Sequence, residues 1–176
     1  RYSSHEMSGV PTGYRELDAM TDGLQKGELI IIAGRPSMGK SAFAMSILTN
    51  AASVGYHGGM VSLEMTEYQL MSRMIASESK IYVSHLQKGS FYKNLWSNLT
   101  RAVSKLAELP IFFAYSAYSD RNIRNAIRTM VLKHGCKIVV IDYLQLGNTE
   151  EKMQSREREI STLSVMFKRL AKELNI

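Results

Sequence analysis

The sequence predicts an α/β fold in which a mainly parallel, twisted sheet is flanked by helices. Four short apolar runs, "ELIIIAG", "GGMVSLE", "PIFFAY" and "KIVVID", alternate with stretches of helical periodicity. Continuous apolar runs of this length, separated by helices, are typical of parallel strands buried on both faces. Because ligands of doubly wound sheets bind at the carboxyl ends of the strands, we expect the functional residues there.

The helices are predicted in order along the chain. "TGYRELDAMTDGL" indicates a short helix with Thr12 as its N-cap and Gly23 as its stop. Further helices are expected near residues 40–54, 67–78, 91–107, 120–134 and 155–174. We expect the apolar stripe of the last helix to pack on its own sheet rather than to form a coiled-coil seam. The stripe consists of Ile160, Leu163, Phe167, Leu170 and Leu174.

Length and composition indicate one ordinary globular domain. The chain has 176 residues, of which 45% are hydrophobic and 22% charged, and no apolar run approaches the length of a membrane span. We therefore expect no membrane association. A single cysteine, Cys136, excludes an internal disulfide and suits a reducing cytoplasm, and its place before an apolar strand predicts a buried thiol.

The stretch "GRPSMGKS", residues 34–41, follows an apolar run and precedes a helical pattern. Its spacing, Gly-x-x-x-x-Gly-Lys-Ser, is that of a phosphate-binding loop, in which backbone N–H groups and the helix N-terminus hold the anion. Lys40 can reach the β- and γ-phosphates, and the Ser41 hydroxyl can bind Mg²⁺. The alternative is a glycine-rich turn that caps an ordinary helix. The predicted nucleotide-binding residues are Gly34, Arg35, Pro36, Ser37, Met38, Gly39, Lys40, Ser41 and Ala42.

Two acidic residues follow predicted strands. Asp142 ends "KIVVID", where a strand-tip carboxylate orients Mg²⁺ through water in the Walker B arrangement. Glu64 ends "GGMVSLE" and can act as the general base for the water that attacks the γ-phosphate, or can interact with the dipole of the next helix. Gln145, three residues past Asp142, can sense the γ-phosphate or serve a structural polar role.

The net charge of +6 weakly favours a polyanionic partner. Arg121, Arg124 and Arg128 form one basic stripe on a predicted helix, for which a solvated face is the default interpretation. The predicted loop 147–156 is a candidate DNA contact, with an ordinary solvated loop as the alternative. The basic side chains in and after this loop are Lys152, Arg156 and Arg158.

The motifs "GRPSMGKS", "SLEM" and "IDYLQL", in this order and spacing, resemble the replicative DNA helicases of the bacterial DnaB type, including their phage-encoded relatives. "SGVPTGYRELDAMTDGLQKGEL" is similar to the start of that family's RecA-like motor domain. The resemblance implies a ring-shaped hexamer that moves on single-stranded DNA with ATP and Mg²⁺ in the cytoplasm of a bacterial or phage-infected cell. It implies Lys40, Ser41 and Asp142 as phosphate and metal contacts, Glu64 as the catalytic base, and Gln145 as a coupling residue.

The same resemblance predicts the domain boundaries. We expect residues 1–9 to be the remnant of a linker and residues 10–176 to be a RecA-like ATPase domain that is incomplete at its C-terminal end. The family's further strands, arginine finger and DNA-facing loops are expected after Ile176. Its contacts with primase and with a helicase loader are expected in regions outside this chain.

Three other functions remain open at this point. The first is a RecA-type recombinase or clock-type ATPase on the same fold, and the second is a small-molecule phosphotransferase, for which the sequence shows neither an acceptor pocket nor an arginine-bearing lid. The third is a loader or scaffold that binds nucleotide without hydrolysing it. The presence of both Glu64 and Asp142 argues against this third function.

Overall fold

The computed structural model of the chain describes residues 7–89, 92–115, 119–142 and 150–176, the last range with its side chains from residue 161 onward. Its sheet has three parallel strands, β1 (Gly58–Ser62), β2 (Ile111–Tyr115) and β3 (Ile138–Asp142), in the order β2-β1-β3. The helices are α1 (Arg15–Thr21), α2 (Lys40–Ser53), α3 (Glu67–Ser79), α4 (Val83–Lys88), α5 (Trp96–Glu108), α6 (Asp120–His134) and α7 (Glu150–Leu174). A short 3-10 helix, Lys93–Leu95, precedes α5.

The register of the strands places their carboxyl ends at one level. On the central strand, Ser62 lies opposite Tyr115 of β2 and opposite Asp142 of β3. The two predicted acidic sites therefore share one edge of the sheet, since Glu64 follows Ser62 by two residues.

Helices cover both faces of the sheet. Side chains alternate between the faces of a strand, so the neighbouring residues Met60 and Val61 of β1, both fully buried, belong to different cores. One core joins Met60 to α2 and α3 through Leu48 and Leu70. The other joins Val61 to α6 and α7. The buried members of this second core on the helices are Ile123, Ile127, Met130 and Leu170.

The packing of α7 confirms the prediction for its apolar stripe where side chains are described. Phe167, Leu170 and Leu174 all pack in the core on the α6 side of the sheet, and Leu163 is buried. Ile160 lies outside the described side chains. The prediction of a buried thiol is also confirmed, because Cys136 belongs to the same core.

Three of the four predicted strands form, and the fourth prediction is wrong. Within the described residues, the segment 28–34 pairs with no neighbouring strand, and Ile31 is 70% exposed. An apolar run indicates that a segment can be buried in a sheet. A strand also needs hydrogen-bonding partners along its length, and these come from distant parts of the chain.

The boundaries of α1 also differ from the prediction. The helix begins at Arg15 after Tyr14, and Asp22 rather than Gly23 ends it in the left-handed conformation, with φ 56°. Thr12 is not the N-cap, because it is bound elsewhere. Its hydroxyl donates to the buried carboxylate of Asp18 at 2.6 Å and accepts from the N–H of Tyr14.

Three helices were not predicted as they occur. The six-residue helix α4 is absent from the prediction, α5 begins at Trp96 rather than near residue 91, and α7 begins at Glu150 rather than near residue 155. Residues 150–156, predicted as part of a loop, are therefore helical, because the polar residues that suggested a loop are also compatible with a solvated helix face. None of the helices in the described ranges is both long and apolar enough to cross a membrane.

Candidate nucleotide-binding site

The loop 34–39 leads into α2 and is exposed to solvent along its whole length. Gly39 is the N-cap of α2 and has φ 84°, while Ser37 has φ 65°. A Cβ on Gly39 would meet no atom within 4 Å, so the position requires glycine for its backbone conformation and not for space. Left-handed residues in such turns orient backbone N–H groups into a concavity that suits an anion.

The N-terminus of α2 differs from those of α3 and α6. Thr66 caps α3 in a capping box with Gln69, and Ser119 caps α6 by accepting from the N–H of Asn122. No described side chain caps α2, and its first turn holds no acidic residue. The N–H groups and the positive end of the helix dipole are therefore left for an external anion.

The Lys40 side chain lies across this loop. Its Nζ donates to the carbonyl oxygen of Gly34 at 2.8 Å and to that of Arg35 at 3.4 Å. These bonds hold the ammonium group against the loop. The positive charge is thus positioned where an anion bound by the loop would lie.

Ser41 and Asp142 meet although they are far apart in the sequence. The Ser41 hydroxyl donates to Asp142 Oδ1 at 3.1 Å. The second oxygen, Asp142 Oδ2, is buried and has no hydrogen-bond partner among the described residues. A buried carboxylate oxygen without a partner is costly, and a cation would satisfy it.

These two side chains fit Mg²⁺. The described residues contain no group of three or more His, Cys, Asp or Glu side chains that could hold a metal. Mg²⁺ in nucleotide sites does not need one, since it is usually held by one or two protein oxygens together with water and phosphates. One hydroxyl and one carboxylate with a free buried oxygen meet that requirement.

Glu64 lies on the turn that follows β1, at the same edge of the sheet as this pair. The buried Ser62 hydroxyl supports the turn by donating to the carbonyl of Met65 at 2.8 Å and accepting from its N–H. The N–H of Leu63 donates to the carbonyl of Asp142 at 3.2 Å. The backbone next to Glu64 is therefore tied directly to the tip of β3, and the Glu64 side chain is exposed.

A carboxylate other than that of Glu64 interacts with the positive N-terminal end of the α3 dipole. The helix begins after Thr66, and its first turn contains another carboxylate, that of Glu67. Glu64 precedes the cap by two residues, so the interaction with the helix dipole is made by Glu67. This placement favours the catalytic interpretation of Glu64 among the two that the sequence left open.

Tyr115 is a site residue that the sequence analysis missed. It ends β2 and lines, with Glu64 and Glu67, a pocket of about 230 Å³ at the carboxyl edge of the sheet. Burial, and secondly the nearby Glu67 carboxylate, raise the pKa of Tyr115 to about 12, so its hydroxyl keeps its proton. The available signal was its position, since "PIFFAY" ends at the same edge as the other two strands.

The remaining predicted site residues are only partly described. Gln145 lies outside the described residues, as do the side chains of Lys152, Arg156 and Arg158, whose backbone is in α7. Their predicted roles remain predictions. In the arginine stripe of α6, Arg128 pairs with Glu173 of α7 at 2.9 Å, which accords with an ordinary solvated face.

These features are typical of P-loop nucleotide-binding proteins with a parallel α/β sheet: a loop of this spacing, a helix N-terminus without a capping side chain, a lysine bound across the loop, and a serine on α2 that contacts an aspartate at the end of β3. A sequence model of the DnaB-like helicase C terminal domain matches residues 9–176. The chain therefore belongs to the DnaB-like helicase C-terminal domain family.

Comparison with individual proteins agrees with this assignment. The chain is 39% identical over 174 residues to the replicative DNA helicase DnaB of Nostoc sp., covering 97% of this chain and 20% of the relative. It resembles a solved structure of a DnaB-like replicative helicase, described with its interactions with primase, with a TM-score of 0.86 at 31% identity over 99% of this chain and 43% of that one. A second solved structure, described as an ATPase domain, gives a TM-score of 0.85 at 31% identity over 99% and 63% of the two chains.

These matches confirm the RecA-like fold that the resemblance implied, because the neighbours are helicase and ATPase domains. The chain spans a fifth of the curated Nostoc relative and less than two thirds of either solved chain.

Proposed function

We propose that this chain is the ATP-hydrolysing motor of a replicative DNA helicase. It binds MgATP at the loop 34–41, hydrolyses it, and uses the energy to move on single-stranded DNA and unwind the duplex. The observation that carries the proposal is the contact between Ser41 and Asp142, which leaves one buried carboxylate oxygen free beside the loop. The family assignment supports it, since the matched relative is named a replicative DNA helicase.

The residues divide the work by their positions. The backbone N–H groups of residues 34–42, apart from Pro36, which has none, bind the phosphates together with the Lys40 ammonium. Lys40 exchanges its bonds to the loop carbonyls for bonds to phosphate oxygens. Ser41 and Asp142 hold Mg²⁺, which when bound neutralises charge on the phosphate oxygens. Glu64 orients the attacking water and accepts its proton.

The DNA and subunit contacts are the less direct part of the proposal. We propose a ring hexamer around single-stranded DNA, with Gln145 coupling the nucleotide state to the segment that contains Lys152, Arg156 and Arg158. One solved neighbour is described with its interactions with primase. Primase and a loader would contact parts of the protein outside these 176 residues. As a replication protein it would act in the cytoplasm of a bacterial or phage-infected cell.

Glu64→Gln in the hexameric, full-length protein tests the chemistry. The amide keeps the shape of the side chain but cannot accept the proton, so we expect MgATP binding to be retained and turnover to fall by about 100-fold or more. Phosphate release and duplex unwinding are measured with the single-stranded DNA present.

Glu67→Gln is the matched control, because Glu67 lines the same pocket and carries the same charge. It should leave turnover within a few-fold of the unmodified protein. Equal losses for the two variants would mean that the pocket needs negative charge and not a base at residue 64. Unchanged turnover in Glu64→Gln would contradict the proposed role of Glu64.

A further inference from the structure

The rings of Tyr14 and Phe43 contact each other at the start of α2, next to the phosphate-binding loop. Their centroids are 5.0 Å apart, and the ring planes are inclined by 47°. Phe43 lies one helical turn from the loop, since its N–H donates to the carbonyl of Gly39 at 2.8 Å. Phe43 is half-buried, whereas Tyr14 is 38% exposed. A partly exposed aromatic side chain is therefore held one turn beyond the residues that would bind phosphate.

Hydrogen bonds fix the backbone of Tyr14 in addition to the contact that its ring makes. The Tyr14 N–H donates to the Thr12 hydroxyl at 3.1 Å, and the Tyr14 carbonyl accepts from the N–H of Asp18 at 2.8 Å. The buried Asp18 carboxylate accepts from the N–H groups of Thr12 and Gly13 at 2.8 and 3.1 Å. A buried carboxylate that is satisfied in this way stabilises one conformation of the segment. The position of Tyr14 therefore does not depend on its ring alone.

The segment 12–14 is attached to α2 at two points. Asn50 Nδ2 donates to the Thr12 carbonyl at 2.9 Å, and the Tyr14 ring contacts Phe43. Asn50 and Phe43 are seven positions apart, which places them on one face of the helix and about two turns from each other. Gly13, with φ 77°, lies against Asn50, and a Cβ on it would clash with that side chain. The segment therefore lies along α2, with Tyr14 at the end nearer the phosphate-binding loop.

The base of a bound nucleotide must lie beyond its phosphates. In the proposed function the phosphates occupy the loop and the N-terminus of α2, so the ribose and the base extend over the neighbouring surface. Ala42 is exposed and small, which leaves space on the first turn of α2, to which Phe43 also belongs. Ligand sites combine a few polar groups with aromatic walls, and a base can stack on any aromatic ring. Tyr14 meets this requirement at the right end of the helix.

We propose that Tyr14, supported by its contact with Phe43, is the surface on which the adenine base of the bound nucleotide stacks. The inference rests on the proposed function in taking ATP as the ligand, and it adds a residue that binds the base. Stacking requires the face of an aromatic ring, so the Tyr14 hydroxyl is not needed for it. A tyrosine that only packed on α2 would contribute to stability and would make no distinction between ligands with and without a base.

Two ligands separate binding of the base from binding of the phosphates. ATP carries a base, whereas inorganic tripolyphosphate presents only a phosphate chain to the loop. The full-length protein is titrated with each ligand by calorimetry, with Mg²⁺ and without DNA. Lys40→Ala should weaken the binding of both ligands, because the ammonium group contacts phosphate. If neither ligand bound to the unmodified protein, the proposed function would fail and this inference with it, whereas the Tyr14 variants test the inference alone.

A matched pair of substitutions at Tyr14 tests the ring itself. Tyr14→Leu removes the ring but keeps an apolar contact with Phe43. It should weaken ATP binding by about tenfold, within the range for loss of a stacking ring, and leave tripolyphosphate binding unchanged. Tyr14→Phe keeps the ring and should bind both ligands as the unmodified protein does. Circular dichroism and thermal unfolding check that each variant is folded.

A fluorescent aminopurine nucleotide, whose emission falls when its base stacks, gives a signal that a purely structural role would not change. Its emission should fall on binding to the unmodified protein and to Tyr14→Phe, and much less on binding to Tyr14→Leu. The control, Tyr68→Leu, removes an exposed tyrosine from α3 and should have no effect.

Three results would overturn the proposal. Unchanged ATP affinity in Tyr14→Leu would mean that the base lies elsewhere. An equal loss of ATP and tripolyphosphate affinity in that variant would mean that Tyr14 supports the loop and does not bind the base. A loss of ATP affinity in Tyr68→Leu but not in Tyr14→Leu would place the base beside α3.

Discussion

The carboxyl and amino edges of the three-stranded sheet differ in how their polar groups are bound. At the carboxyl edge, Asp142 keeps a buried oxygen without a partner among the described residues, and the α2 N-terminus has no capping side chain there. At the amino edge, polar groups are bound within the chain. The N–H of Lys137 donates to the carbonyl of His57 at 2.8 Å, and His57 Nδ1 donates to the carbonyl of His134 at 2.6 Å.

The two edges also differ in their packing. At the amino edge the Phe112 and His134 rings stack with their centroids 4.1 Å apart, and Cys136 is buried in the core to which Phe112 also packs. Burial raises the pKa of the Cys136 thiol to about 11, although a backbone hydrogen bond lowers it in part. This cysteine is therefore held as an unreactive thiol and serves the packing.

Chain direction explains the difference. In a parallel sheet with right-handed crossovers, each strand enters a helix at the carboxyl edge, so the positive helix N-termini gather there and the negative C-termini gather at the other edge. The α6 C-terminus at the amino edge is matched by Lys133 and His134 in its last turn. The α2 N-terminus has no such match among the described residues, which suits it to a ligand.

Lys40→Ala should give the largest effect if this comparison is correct. Removing the charge from the carboxyl edge should lower ATP affinity by about 100-fold, the upper range for a hydrogen bond to a charged group. The unfolding transition should hardly change, because the described bonds of this side chain are to exposed loop carbonyls. Nucleotide titration checks this, with Lys26→Ala as the control at an exposed lysine outside the loop. Equal affinity of the two variants would contradict it.

Phe112→Ala tests the opposite edge. Loss of the half-buried ring and its stacking on His134 should lower the free energy of unfolding by about 2 kcal/mol, less than for a fully buried phenylalanine. The folded variant should bind ATP as tightly as the unmodified protein. Denaturant unfolding and nucleotide titration measure the two quantities, and Phe112→Leu is the conservative control. A lower ATP affinity with unchanged stability would contradict the assignment of nucleotide binding to the carboxyl edge and of packing stability to the amino edge.

Tyr115 should give the smallest effect, confined to alkaline pH. Its pKa is about 12 in the folded chain against an ordinary value of 10, so Tyr115 disfavours the folded state progressively as the pH rises from 10 to 12, because ionisation then lowers the free energy of the unfolded chain more than that of the folded one. That ionisation therefore costs stability over this range, and the stability of the unmodified protein should fall more steeply than that of Tyr115→Phe. Parallel curves would mean that the pKa of Tyr115 is not raised.

Local sequence signals predicted most of the fold. The strands β1, β2 and β3 follow apolar runs, and α2, α3 and α6 lie close to the helical ranges that the periodic patterns predicted. The run "ELIIIAG" carries the same signal as the others, yet it pairs with no strand in the described residues. Strand pairing depends on a partner elsewhere in the chain, which a local pattern does not contain.

The candidate site was predictable where one motif supplies one role. The spacing of residues 34–41 placed Lys40 and Ser41, and the end of an apolar run placed Asp142. The sequence could not show that Ser62 supports the turn of Glu64, or that Tyr115 closes the same pocket, because both depend on the strand register. The sequence also left open whether Glu64 interacts with the α3 dipole. Because Thr66 caps α3, that interaction is made by Glu67, the carboxylate in the first turn of the helix.

The free oxygen of Asp142 is the central claim, and Asp142→Asn in a thermal unfolding experiment tests it most directly. Without nucleotide, the variant should unfold at the same temperature as the unmodified protein or higher, because a neutral amide replaces the carboxylate whose Oδ2 is buried without a hydrogen-bond partner among the described residues. At about a hundredfold excess over Kd, MgATP should raise the transition of the unmodified protein by about 5 °C or more. ATP with EDTA should raise it much less, and the variant should lose this dependence on Mg²⁺. A variant that is destabilised without nucleotide and keeps the full Mg²⁺-dependent shift would show that Asp142 holds the fold together and does not hold the metal.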